Sequence, residues 1–430
     1  MRSPLRLTTA AAAASNDGAG GQHAARPPRV LWLFVFGPGL MVMLADTDAG
    51  SIVTAGQSGA RWGYRLLLLE LLLIPVLYLV MELTVRIGVT TGKGHAQLIR
   101  EHFGRRWAAV SVAALLVSVC GALVTEFAGI AGIGRLFGVP AWLTVPAAAV
   151  FLVAIVCSGS YRRVELIGIG LGLFEFAFLA AALLARPNVH SIAHNLTGAQ
   201  PLRSGSYLAL AAANVGAVVM PWMIFYQQGA VLDKGLTVRD LRTSRIDTAL
   251  GAVLTQLVMA AVLVATAAAT HGRGGTSLHT VGQLATTLAR PLGSGPSRLI
   301  LALGITGAAL LACIVVSLAA AWALAELFGS ERSLNHRPRR APLFYGLYTA
   351  LIAGGAAVVL TSSSLIRLTV QIEVLNALLL PLALGFLVLL AFRALPREHA
   401  PGRKRRLALG LTAGTVIAIA LLWAGLALGL

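Results

Sequence analysis

The chain is predicted to be an all-α integral membrane protein, with eleven transmembrane helices built as a five-plus-five inverted repeat and one extra helix. Three observations predict this. Of its 430 residues, 57% are hydrophobic and only 12% charged, whereas soluble domains carry about 25% charged residues. The apolar residues fall into continuous runs of about 20, the length a helix needs to cross the hydrocarbon core, and not into the alternating segments of a β-barrel. The first and sixth runs are each interrupted by helix-weakening residues. Two broken helices at corresponding positions are the pattern of carriers whose unwound backbone faces the substrate near the bilayer midplane.

Taken in order, residues 1–28 are rich in Ala, Gly and Ser and lack an apolar centre. They are read as a disordered cytoplasmic tail and not as a cleavable signal sequence. Residues 29–430 are read as a single transporter domain. Spans are expected near 30–57, 63–87, 107–133, 140–158 and 163–185, making repeat one over about 30–185. Repeat two, over about 207–392, holds spans near 207–230, 246–270, 298–328, 343–361 and 367–392, and an extra helix follows near 407–429. The longest connections, 186–206, 271–297 and 329–342, are too short and too rich in Gly, Pro and Arg for a separate core.

The net charge of +18 is topological. With the N-terminus inside, 25 of the 34 Lys and Arg fall on the cytoplasmic side, including Arg337-Pro338-Arg339-Arg340 and Arg403-Lys404-Arg405-Arg406. The positive-inside rule therefore predicts a multi-pass protein of the cell membrane with a cytoplasmic N-terminus. Its partners are lipid and a transported ion, with no nucleic acid and no obligate protein partner. Cys120, Cys157 and Cys313 lie in expected spans and read as small buried side chains, neither a disulfide framework nor a metal cluster.

The first span carries Asp46 and Asp48 in the stretch Leu44-Ala45-Asp46-Thr47-Asp48-Ala49-Gly50-Ser51. An ionised Asp at bilayer depth costs roughly 3 kcal/mol on insertion scales, so the default reading is functional. Gly50 is expected to weaken the helix there. The sixth span reads Asn214-Val215-Gly216-Ala217-Val218-Val219-Met220-Pro221-Trp222. Pro221 removes a backbone donor and Gly216 lies one and a half turns before it. Freed carbonyls, the Asp48 carboxylate and the Ser51 hydroxyl are hard donors. The Ala217 carbonyl and the Met220 thioether would join them from the sixth span. Mixed oxygen and sulfur ligation suits late first-row divalent metals better than magnesium or calcium.

These residues carry a resemblance. Gly37-Pro38-Gly39 through Asp48-Ala49-Gly50-Ser51 to Gly63-Tyr64 resembles the first-helix region of the NRAMP divalent-metal transporters, whose signature is Asp-Pro-Gly-Asn. Arg86-Ile87-Gly88-Val89-Thr90-Thr91-Gly92-Lys93 is similar to the end of their second helix. Glu126, with Leu136-Phe137-Gly138-Val139-Pro140 downstream, resembles their third-helix acidic residue and the following loop. Ala217-Val218-Val219-Met220-Pro221 resembles their sixth-helix metal motif. The resemblance covers about residues 30–390. It implies a leucine-transporter-type fold and metal import, commonly proton-coupled. It also implies Asp48, Ala217 and Met220 as ligands, with Ser51 in the place of the family's Asn.

Two departures mark a divergent, NRAMP-related branch: Ala49 replaces Pro, and Trp222 stands where the family has a His linked to proton movement. Some such branches carry hydrated magnesium without proton coupling. In the tenth span Glu373 falls near the family's Gln, with Gln371 two residues away and the register open.

All nine histidines fall outside the expected spans, so any proton relay must use carboxylates. Asp46, at a different azimuth from Asp48, and Glu126, at mid-span, are the relay or accessory candidates. Glu373 is an acidic residue in an apolar helix, followed by Asn376 and Pro381, and is carried as a further metal candidate. Glu82 and Glu165 are expected to pair structurally near Arg86 and Arg162, while Glu175 has no nameable partner.

The expectation is a secondary transporter of manganese or ferrous iron working by alternating access, with proton coupling left open. An uncoupled magnesium transporter is the alternative, and an amino-acid or organic-cation carrier ranks below both. No enzyme motif such as His-Glu-x-x-His or Gly-x-Ser-x-Gly is present, and no cofactor is expected.

Overall fold

A computed structural model describes residues 37–270, 278, 280–361, 368–396 and 398–428. The protein is all-helical. The first half holds α1 (Pro38–Asp46), α2 (Ala49–Trp62), α3 (Leu67–Thr91), α4 (His95–Phe103), α5 (Arg105–Leu136) and α6 (Ala141–Val156). It continues with α7 (Tyr161–Gly172), a 3₁₀ turn (Leu173–Phe176), α8 (Ala177–Leu184) and α9 (Val189–Thr197). The second half holds α10 (Gly205–Val218), α11 (Pro221–Asp233), α12 (Leu241–Ala269), α13 (Val281–Leu292) and α14 (Ser294–Phe328). It ends with α15 (Pro342–Thr361), α16 (Leu368–Arg393) and α17 (Arg403–Leu428). Among the described residues, seven helical segments are long and apolar enough to cross a membrane.

Both expected breaks are present. The chain leaves helical geometry at Thr47 and Asp48, between α1 and α2, and at Val219 and Met220, between α10 and α11. Gly50 and Gly216, expected as break residues, instead lie inside α2 and α10. The breaks have other causes. Asp48 takes an extended conformation and its carboxylate accepts from the Ser51 N–H at 2.7 Å, a helix N-cap that starts a new helix. In the sixth span, Pro221 opens α11 at its first turn and drives Met220 before it into the extended region. Proline is dispensable in the first break, because Asp48 does the same work by hydrogen bonding.

The connections hold more structure than expected. α4, α9 and α13 are short helices where the sequence reads as plain connections or histidine-bearing loops. Their apolar residues are few and spaced along one face, a weaker signal than a membrane span. The cysteines also differ from expectation: Cys313 is buried, but Cys157 is only partly covered and Cys120 is exposed. Burial within a span depends on which face of the helix meets a neighbour, and run length does not report that.

α12 is the spine of one side, packing along α1, α2 and α3, while α14 packs along α5. Asp247 of α12 receives the start of α1: its carboxylate accepts from the Gly39 N–H at 2.7 Å and the Leu40 N–H at 3.3 Å. This anion at a helix N-terminus satisfies donors that a buried helix end would otherwise leave bare. Beside it the Lys234 ammonium binds both carboxylate oxygens of Glu165 at 2.8 Å, and the Tyr161 hydroxyl donates to the same carboxylate at 3.2 Å. The expected neighbour of Glu165 is Arg162; the pairing is with Lys234, which approaches from the end of α11. Gly37 sits directly against this pair with φ 149°, where a side chain would run into both charged groups. Glu82 pairs with Arg86 as expected, at 2.5 Å, and also with Arg245 at 2.6 Å.

Candidate ion-binding site

The two breaks meet through Ser51. Its hydroxyl donates to the Ala217 carbonyl at 3.2 Å, while its N–H is held by Asp48. Asp48, Ser51, Ala217 and Met220 are at most 1% exposed. Ala217 lies in the last turn of α10, where carbonyls lose their intrahelical donors. A carboxylate, a hydroxyl and a carbonyl are thus joined by hydrogen bonds across the breaks.

Met220 is engaged as well. The Trp222 indole N–H donates to its sulfur at 3.1 Å, and the Asn376 amide approaches the same sulfur at 3.7 Å. Asn376 is itself fixed by the Ser118 hydroxyl of α5 at 2.5 Å. The tenth expected span therefore reaches Met220 through Asn376. Glu373 and Gln371 also fall on α16, but their side chains lie outside the described residues.

Carboxylates flank the first break. Glu126 of α5 accepts from the Ala49 N–H at 3.1 Å. Asp46 closes α1, with Thr47 between it and Asp48, so the two aspartates belong to different helices. The Thr47 hydroxyl bonds that of Thr255 on α12 at 2.6 Å. Glu175 lies beside Thr47 and within electrostatic reach of Asp48, which supplies the neighbour its sequence did not reveal. Cys313 of α14 is buried within the fields of both Asp48 and Glu126. Among the described residues, no three His, Cys, Asp or Glu side chains converge as a metal cluster. Among the described residues, Asp48 is the full charge joined to the neutral Ser51 hydroxyl and Ala217 carbonyl, with the Met220 sulfur one turn away.

The comparisons with known proteins decide the family. The family model described as natural resistance-associated macrophage protein-like, Nramp, matches residues 39–425. The chain belongs to the Nramp family. This Nramp protein is 30% identical over 275 residues to the divalent metal cation transporter MntH of Brucella suis, an alignment covering 61% of this chain and 60% of the relative. It is 32% identical over 268 residues to MntH 1 of Pseudomonas aeruginosa, covering 59% and 60%. The chain thus aligns with about three-fifths of the length of these curated relatives. Among solved structures, a manganese transporter of Eremococcus coleocola superposes with a TM-score of 0.73 at 19% identity, covering 92% of this chain and 86% of that one. A Na⁺-coupled sialic acid symporter gives a TM-score of 0.60 at 11% identity, covering 91% and 90%. At these identities the structures show the fold alone, an all-helical membrane protein with leucine-transporter-type neighbours. The family is one of transporters, not of enzymes.

Within this Nramp protein, sequence reading missed Asn376 as a group that reaches Met220 and Ser118 as the group that fixes Asn376. Their signal was present as polar residues on otherwise apolar helices. It also missed His95. This residue begins α4 and is 1% exposed, with Nδ1 3.1 Å from Gln228 Oε1 and its ring edge-on to Phe225 at 4.7 Å. Both partners belong to α11, so a histidine outside the spans still packs against the second half of the sixth. Burial pushes its pKa down to about 4, leaving it neutral at physiological pH.

Proposed function

We propose that this Nramp protein is a secondary transporter of divalent metal cations, manganese or ferrous iron, working by alternating access. The single observation that carries the reading is the Ser51–Ala217 hydrogen bond, which joins Asp48 to the sixth-span break one turn from Met220. Asp48, Ser51, the Ala217 carbonyl and the Met220 sulfur are assigned as ligands, with Glu373 as a further candidate from α16. Asp46 and Glu126 are assigned as accessory or proton-relay groups.

The wider reading has eleven spans, five in each inverted repeat and one extra, within a single domain, and a cytoplasmic N-terminus in the cell membrane. In that orientation Asp247 and the Glu165–Lys234 pair hold the start of α1 at the cytoplasmic end. Release of α1 from them would open the site inward.

One observation favours a second reading, an uncoupled magnesium transporter. The Met220 sulfur already accepts from Trp222 and faces Asn376, so a hydrated ion that needs no thioether would leave those contacts in place. Uptake into proteoliposomes separates the two. Manganese, magnesium and calcium are compared with internal pH recorded, in wild type and in Met220→Ala. Loss of manganese but not magnesium uptake in the variant supports the first reading; equal retention of both supports the second. Manganese uptake without acidification removes proton coupling, and no divalent uptake under any gradient removes the metal reading.

A further inference from the structure

A cavity of about 780 Å³, lined by none of the residues at the two breaks, lies where α3 ends and where α12 and α17 begin. Among the described residues, six cations line it: Arg86 of α3, Arg239, Arg242 and Arg245 around the start of α12, and Arg403 and Lys404 of α17. Among the described residues, Glu398 is its one acidic lining residue. Glu82, just behind the wall, serves both Arg86 and Arg245, and Arg86 also donates to the His399 carbonyl at 3.2 Å. Among the described residues Arg239, Arg242, Arg403 and Lys404 form no ion pair.

Six like charges around one cavity, against two carboxylates, repel one another unless an anion enters. A planar guanidinium fork matches phosphate oxygens in pairs, and five of the six cations are arginines. The surroundings then select the source of the phosphate. α12 leaves the cavity with Ile246, Leu250, Val253 and Leu257 exposed at 40, 44, 39 and 42%, one helical stripe at i, i+4, i+7 and i+11. α17 leaves it with Leu407 and Leu411 exposed at 65 and 62%. Acyl chains can lie along these apolar surfaces while the headgroup stays among the arginines.

We propose that this cavity binds the phosphate headgroup of an anionic phospholipid from the adjoining leaflet, which is the cytoplasmic one in the orientation above. Such basic pockets at helix ends suit anionic headgroups. The bound lipid clamps the first turn of α12, the turn that leads into Asp247 and hence into the hold on α1. The site does not depend on which ion the protein transports.

The test is thermal unfolding of the purified full chain in detergent with added phosphatidylglycerol, phosphatidylcholine or inorganic phosphate. Phosphatidylglycerol is expected to raise the unfolding temperature by several degrees, and the other two are not. Arg239→Gln/Arg242→Gln/Arg403→Gln should lose most of that rise. Arg337→Gln/Arg339→Gln/Arg340→Gln, in another basic run, should keep it. A full rise in the first variant, or an equal loss in the second, overturns the site. An equal rise with inorganic phosphate overturns the lipid assignment. If the first variant does not fold, Arg242→Gln alone is read by native mass spectrometry. Unchanged retention of phosphatidylglycerol relative to wild type overturns the proposal.

Discussion

The Ser51 hydroxyl donates to the Ala217 carbonyl at 3.2 Å, so the first and sixth spans touch at the point where each stops being a helix. Inside a helix each carbonyl already accepts an N–H from the next turn, whereas carbonyls in the last turn before a break have lost that donor. The contact places such an oxygen beside the N-cap carboxylate of Asp48, where charge and hydroxyl can be removed one at a time.

Asp48→Asn should abolish divalent uptake while leaving the protein folded. Asparagine caps a helix about as well as aspartate, so the Ser51 N–H keeps its acceptor and only the charge is lost. Uptake in proteoliposomes, with unfolding temperature as the control, checks this; retained manganese uptake would remove Asp48 from the ligand set.

Ser51→Ala should raise the KM for manganese by up to about tenfold with little change in maximal rate. A lost hydroxyl contact is worth about 1 kcal/mol, which is roughly fivefold in binding. Ser51→Asn, restoring the longer amide, should lower the KM below that of wild type.

Trp222→Phe removes the indole N–H that the Met220 sulfur accepts at 3.1 Å, and keeps most of the ring volume. The freed thioether should favour manganese over magnesium by a few-fold in competition uptake. An unchanged ratio would mean that Met220 does not meet the ion.

Lys234→Gln leaves the Glu165 carboxylate without its cation in a nearly buried position. Breaking a buried pair on one side costs roughly 3–5 kcal/mol, which the protein escapes by loosening this end of the bundle. Hydrogen exchange over residues 38–46 should speed up in Lys234→Gln and recover in part in Glu165→Gln/Lys234→Gln.

His95 gives a pH dependence of known sign. Its pKa falls from about 6.5 to about 4 on folding, so between those values the unfolded chain binds the extra proton. Stability should decline as pH falls from about 6.5 and level off below about 4. Thermal unfolding at mildly acidic and mildly alkaline pH measures the difference, and His95→Gln should shrink it.

Much of this was legible in the sequence. Apolar run length is a local property that the bilayer reads directly, so the membrane class and the two interrupted runs followed from residues in order. The position of Met220 at the second break was legible because the break is made by its neighbour in the chain, Pro221, while the N-cap at Asp48 that makes the first break was not read from the sequence. The placement of the breaks on Gly50 and Gly216 erred because glycine lowers helix propensity without ending a helix that packing supports.

Partners far apart in the chain were not legible. Glu165 meets Lys234, Met220 meets Asn376, and Asp247 holds the start of α1, each across a large sequence separation. Sequence alone determined that this protein is a helical membrane protein with two broken spans bearing a carboxylate and a thioether. The tertiary structure decided which groups face those breaks and which charges pair. A buried polar group takes whichever partner packing brings within about 3 Å, and packing follows the fold and not chain proximity.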